Sequence, residues 1–136
     1  MQEFIGRFHP LLVHLPIGIL LLAILFEWLP ARKPYKSIRR SIRFILWIGF
    51  LGAAASGITG YLLSQSGGYD SEAVSWHQYA GIILIVLSFV YAWVRGQKQF
   101  RPIFKLLSIV ALGLITVTGH LGGTLTHGEG YLTSGF

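Results

Sequence analysis

The chain has 136 residues, enough for one domain; 53 % are hydrophobic and only 12 % charged, a balance that excludes an ordinary soluble globular domain. Its formal net charge of +6 gathers in two short stretches, which argues for a membrane protein and against nucleic-acid binding. Cysteine is absent, so disulfides, iron–sulfur clusters, thiolate copper sites and C-x-x-C-H haem attachment are excluded within this chain.

Four apolar runs, at about residues 10–29, 44–64, 76–95 and 105–126, are each long enough to cross a bilayer core, which takes about 20 helical residues. Short connections predict an all-α membrane protein, an up-down bundle of four transmembrane helices in a single domain. The first run does not read as a cleaved signal: its leader is not cationic, and His14 and Pro16 interrupt it. Pro10 suits a first helical turn, so the helix is expected to start there, and Pro16 is expected to bend it just past His14. Gly18, one turn below His14, would clear space beside that imidazole. Glu27 near the far end is expected to pair with a loop arginine rather than to handle protons.

The second run carries Gly49, Gly52, Ala53, Ser56, Gly57 and Gly60 at spacings of three and four, hence on one face. Such a stripe serves close helix packing or gives a flat wall for a planar cofactor; Gly57 and Gly60, at the outer end, suit the second use. The connection at residues 65–75 is polar. His77 then opens the third run, with Gly81 one turn deeper. The fourth returns through Gly113, Thr116 and Gly119 to His120, and Gly122, Gly123 and Gly128 argue against its unbroken continuation beyond.

Ten of the eleven basic residues fall in two connections: Arg32, Lys33, Lys36, Arg39, Arg40 and Arg43 in the first, Arg95, Lys98, Arg101 and Lys105 in the third. Arg7 is the exception, and the other side carries Glu3, Asp70, Glu72 and Glu129. The positive-inside rule then puts both termini outside, at the periplasm for a multi-pass protein of a bacterial inner membrane. Tyr61, Tyr69, Trp76 and Tyr131 would form an outer aromatic belt, and Trp28, Trp47 and Trp93 an inner one.

All five histidines, His9, His14, His77, His120 and His127, fall on the outer side. Ionisable groups within spans are costly and tend to mark function. Four uses compete: two imidazoles on a haem iron, three on copper or zinc, a proton relay, or structure alone. Met1 is the only methionine, so a six-coordinate b-type haem would take two histidines. No cysteine nucleophile, acid pair, phosphate loop or dinucleotide fingerprint supports hydrolytic or nucleotide chemistry.

His9-Pro10-x-x-x-His14-x-Pro16, the histidine opening the third span, and Gly122-Gly123 followed by His127-Gly128 resemble a family of bacterial membrane proteins catalogued as domain of unknown function 2231. The run Gly119-His120-Leu121-Gly122-Gly123-x-Leu125-Thr126-His127-Gly128 resembles the variant joined to c-type cytochrome domains. The resemblance implies a four-helix membrane module associated with electron transport, with His9, His14, His77 and His127 at the family's histidine positions and His120 belonging to the variant.

The favoured reading is a b-type cytochrome module transferring electrons at the outer side, an electron-transfer protein or redox subunit rather than a stand-alone enzyme. His14 and His77 are its expected axial pair, with His120 the replacement for either. His9 and His127 would hold a second haem b or a metal ion nearer the surface, and Arg7 would meet a propionate. Gly18, Gly57, Gly60 and Gly81 would border the ring. Expected partners are the lipid bilayer, a c-type cytochrome or other redox carrier, and a quinone. The alternatives are a histidine copper or zinc site in a membrane subunit, or a structural anchor of a larger respiratory complex. Reporter fusions at Lys36 and Asp70 are expected to report opposite sides of the membrane, the Asp70 fusion lying outside; the reverse result would also move the histidines to the inner face.

Overall fold

The computed structural model describes residues 2–30, 33–68 and 71–128. The roles assigned to Arg32, Tyr69, Asp70, Glu129 and Tyr131, and to the side chains of Glu3, Lys98 and Arg101, lie outside what is described. The first span is built from three helical pieces, α1 (Gln2–Gly6), α2 (His9–Leu12) and α3 (His14–Trp28). The others are single helices: α4 (Lys36–Ser64), α5 (Ser71–Val94) and α6 (Phe104–His127). Each of the four is long and apolar enough to cross a membrane, and no strand occurs among the described residues. α3 packs on α4, α4 on α5, α5 on α6 and α6 on α3, which closes an up-down ring of four.

The breaks in the first span follow from its prolines. A proline lacks the N–H that would bond to the carbonyl four residues earlier. Helical structure lapses at Arg7 and Phe8, before Pro10, and again at Val13, before Pro16. The second interruption thus precedes His14 instead of following it, and the span begins at Gln2 rather than Pro10. This extra turn places His9 well inside the span, as deep as His77 is inside α5. Gly6 makes the approach feasible: a Cβ there would lie 2.7 Å from the Leu63 backbone nitrogen.

Two further expectations are corrected. Lys36, Arg39, Arg40 and Arg43 form the first turns of α4 rather than a loop, because Ile38, Ile42 and Leu46 continue its apolar stripe at spacings of four. α6 runs through Gly122 and Gly123 to His127 without a break. In an apolar surrounding every backbone group needs an internal partner, a demand that outweighs the low helix propensity of glycine. The helix stops at Gly128, whose φ of 86° is open to glycine and strained for other residues.

The packed core lies in the basic half of the bundle, around Leu20, Leu46, Leu84, Tyr91, Phe104 and Ile115. Leu11, Phe44, Leu51, Ile58 and Ile109 are among many large apolar side chains left exposed, as expected of a lipid-facing surface. Trp28 and Trp93 are exposed near the basic end, Tyr61 and Trp76 near the other. Trp47 departs from a simple belt: its ring packs edge-on against Phe50 at 5.8 Å and Phe89 at 5.7 Å.

Glu27 ties the basic end together. Its carboxylate is 2 % exposed and accepts from Arg95 Nε at 2.7 Å and from Arg39 Nη2 at 3.2 Å. Arg39 also donates to the carbonyls of Glu27 and Leu29, at 2.9 and 2.8 Å. Trp28 Nε1 donates to Ser108 Oγ at 3.0 Å, so all four spans are joined. The expected arginine partner of Glu27 is found twice, in Arg39 of α4 and in Arg95 of the third connection. Removing one partner of a buried ion pair costs about 3–5 kcal/mol. Glu27→Ala is expected to cost about 3 kcal/mol in a denaturant titration, at the low end because both arginines keep contact with water; Glu27→Ala combined with Arg95→Leu should recover part of that loss.

Candidate functional site

The other half of the bundle is not filled. A cavity of about 550 Å³ lies between the four spans, within the roughly 300–1,000 Å³ of single-ligand pockets. His9, His14 and Ile17 border it from the first span, and Ser56, Gly57 and Gly60 from α4. His77, Gly81 and Ile85 border it from α5, and Thr118, Gly119, Gly122 and His127 from α6. The lining is mostly apolar, with Tyr61, Ser64, Gln78 and Thr126 as further polar members. Gln78 Nε2 donates to Ser64 Oγ at 2.9 Å, bridging α5 and α4.

Two imidazoles face each other across this space. The rings of His9 and His77 have centroids 6.1 Å apart and planes crossed at 79°. His9 Nδ1 donates to the Ser56 carbonyl at 2.8 Å, and His77 Nδ1 to the Thr118 carbonyl at 3.2 Å. A carbonyl only accepts, so each Nδ1 carries the proton and each Nε2 the lone pair, the tautomer that binds a metal. A second-shell carbonyl of this kind is the usual support of a ligating histidine. Metal–imidazole bonds are about 2.0–2.1 Å long, so two rings on opposite sides of one ion have centroids roughly 6 Å apart. The observed separation matches.

Both rings rest on glycine. A Cβ at Gly60 would lie 2.7 Å from His9 Cε1, and one at Gly122 would lie 3.1 Å from His77 Cε1. In each case the glycine lies four residues beyond the accepting carbonyl, on the same helix face. Its missing side chain leaves that carbonyl open to a second donor. The Thr59 hydroxyl also leans on this site, shared between the Ala55 and Ser56 carbonyls at 3.1 and 3.0 Å. By contrast, a Cβ at Gly81 or Gly119 would meet nothing within 4 Å, because both face the open cavity.

The ring opposite His77 is therefore that of His9, not His14. Starting the helix at Pro10 made His9 too shallow; the α1 turn ahead of it restores equal depth. His14 is exposed at the cavity edge, its Nδ1 donating to the Pro10 carbonyl at 2.7 Å. His127 is exposed at the rim, with Nδ1 at 2.7 Å from Thr126 Oγ1 and 3.2 Å from the Gly123 carbonyl. His120 is exposed and does not border the cavity, and the same holds for Gly18 and Arg7. Gly57, Gly60 and Gly81 do border it. The glycine stripe of α4 divides by depth: Gly49 packs on Leu20 and Gly52 on Pro16, whereas Gly60 receives the imidazole. Among the described residues no three His, Asp or Glu side chains gather as a metal-binding group. Ser56, Thr118 and Gly122 escaped attention as site residues, although the paired strings Ser56-Gly57-x-x-Gly60 and Thr118-Gly119-x-x-Gly122 stand in the sequence.

Four apolar helices around a histidine-bearing cavity define a multi-pass membrane protein. The chain belongs to the DUF2231 family of predicted membrane proteins, whose model matches residues 7–134. No curated protein and no solved structure matches it.

Gly60→Ala is expected to push the His9 ring from its carbonyl. The lost hydrogen bond and overpacking cost together about 2–3 kcal/mol, measured by denaturant titration of the protein without added cofactor. Gly113→Ala, exposed on α6 with nothing near its new Cβ, should be neutral or stabilising by up to about 1 kcal/mol.

Proposed function

We propose that this protein is a membrane-embedded b-type cytochrome module that binds one haem b between His9 and His77 and exchanges electrons at the histidine end of the bundle. The observation that carries the reading is the facing pair of imidazoles, 6.1 Å apart with both Nδ1 atoms tied to carbonyls. The residues fit the group in three further respects: the cavity is of single-ligand size, its lining is mostly apolar, and Gly81 and Gly119 leave flat wall where side chains would otherwise project. A haem bound there supplies a one-electron ferric/ferrous couple.

The chain's own groups set the conditions for that couple. The carbonyls of Ser56 and Thr118 hold the two rings in the ligating tautomer and make each imidazole more basic, which favours the higher oxidation state. The apolar lining excludes water and favours the less charged, reduced state. His127, Thr126 and Gln78, which border the cavity, would offer polar contacts to the carboxylates of a bound macrocycle. With the basic loops inside, the rim faces the periplasm of a bacterial inner membrane, within reach of a c-type cytochrome or another redox carrier there.

The purified protein is expected to give a six-coordinate low-spin b-type absorption spectrum, oxidised and dithionite-reduced. His9→Ala and His77→Ala should each convert it to a high-spin form or abolish haem binding, while His14→Ala and His120→Ala keep the low-spin bands. Haem-free protein after expression with haem supplementation would overturn the proposal. Loss of the low-spin bands in His14→Ala, with His9→Ala unaffected, would move the ligand to His14.

A further inference from the structure

The two halves of the chain correspond helix by helix. His9 and His77 lie one constant offset apart, and the same offset of 68 residues separates Glu27 from Arg95. At that offset the buried residues of α3, Pro16, Leu20, Ala23 and Ile24, fall on the buried Leu84, Ser88, Tyr91 and Ala92 of α5. The second helices match at an offset of 62 residues: Ile42, Leu46, Gly49 and Ala53 of α4 fall on Phe104, Ser108, Ala111 and Ile115 of α6, all buried. In that register Ser56-Gly57-x-x-Gly60 falls on Thr118-Gly119-x-x-Gly122. The hydroxyls of Ser56 and Thr118 are both buried without a hydrogen-bond partner. In an up-down ring the first and third spans run the same way, and so do the second and fourth. The halves are thus parallel repeats about an axis along the bundle.

We infer that the protein is a duplicated helical hairpin, and that each repeat contributes one copy of the same ligand-holding unit. The unit is an imidazole on the first helix and a Ser/Thr-Gly-x-x-Gly string on the second. The string's first carbonyl orients the ring and its last glycine seats it. Gly60 and Gly122 are accordingly positioning residues: they act through His9 and His77 by fixing the planes of the two rings. A two-fold axis that tilts one ring to one side tilts its mate equally to the other. Equal tilts therefore become a crossing, here 79°.

Crossed rings have a spectroscopic consequence, which rests on the haem reading above. Parallel imidazole planes split the two iron d orbitals that interact with them and give a three-line rhombic low-spin signal. Crossed planes leave those orbitals nearly degenerate and give a strongly anisotropic signal dominated by one low-field feature.

Electron paramagnetic resonance of the oxidised, haem-loaded full chain in detergent tests this. The expected result is the single low-field feature. A rhombic three-line signal would overturn the crossing while leaving bis-histidine haem binding intact; the lack of any low-spin haem signal would overturn the reading beneath it. Gly122→Ala, whose Cβ would press His77 Cε1 at 3.1 Å, is expected to keep the haem and shift the low-field feature. Gly60→Ala, with the closer contact of 2.7 Å, should shift it further, and Gly113→Ala should leave it in place. An unchanged signal in both seat variants with full haem occupancy would overturn the positioning role.

Discussion

Everything in this bundle depends on how backbone carbonyls are satisfied where water is absent. An unpaired peptide group in hydrocarbon costs several kcal/mol, so each span is helical even through Gly122 and Gly123. Pro10 and Pro16 are the two places in the first span where the rule is strained, and the helix yields near each. At Ser56 and Thr118 the opposite holds. A carbonyl already within a helix takes an additional donor from an imidazole, because the glycine four residues on leaves its flank uncovered. The site is made from spare acceptor capacity of the backbone.

The two ends of the molecule solve different problems. At the basic end, Glu27 and two arginines draw three spans together over a packed core, and a tryptophan–serine hydrogen bond brings in the fourth. At the other end small residues help to line a space, and the two facing imidazoles are held by backbone carbonyls. A well-packed half carries the stability, which lets the cavity half remain open with its imidazoles held in place. The positions of Leu20 and Gly49 mark the change. Below them side chains interdigitate; above them glycines share the wall with Ile17, Ile82 and Ile85.

Much of this was legible in the sequence: four spans, charge asymmetry, the histidine-rich end, the pairing of Glu27 with arginine and the family. These rest on composition and local pattern, which a membrane makes unusually informative. The pairing of His9 with His77 was not legible. It turns on where a proline-bearing helix begins, and Pro10 is compatible with a start at residue 10 or a break within a longer helix. Gly18 was misjudged because one turn of spacing does not say which side faces the bundle. The breadth of the α6 helix was underestimated, since glycine propensities come from water. The repeated Ser/Thr-Gly-x-x-Gly string was visible, yet its meaning came only with the carbonyl contacts.

The salt bridge between Glu27 and Arg95 joins equivalent positions of the two repeats. Equivalent positions that meet near an axis would bear the same side chain in a dimer of identical hairpins. Two copies of the first hairpin would set carboxylate against carboxylate, and two copies of the second would set guanidinium against guanidinium, both unfavourable within an apolar bundle. Arg39 offsets part of the Glu27 charge within the first hairpin, but only the mixed pair sets opposite charges at the matched position itself. Opposite charges at one matched position therefore act as a recognition code, directing each hairpin to its complement in the same chain rather than to its own kind in a neighbouring molecule.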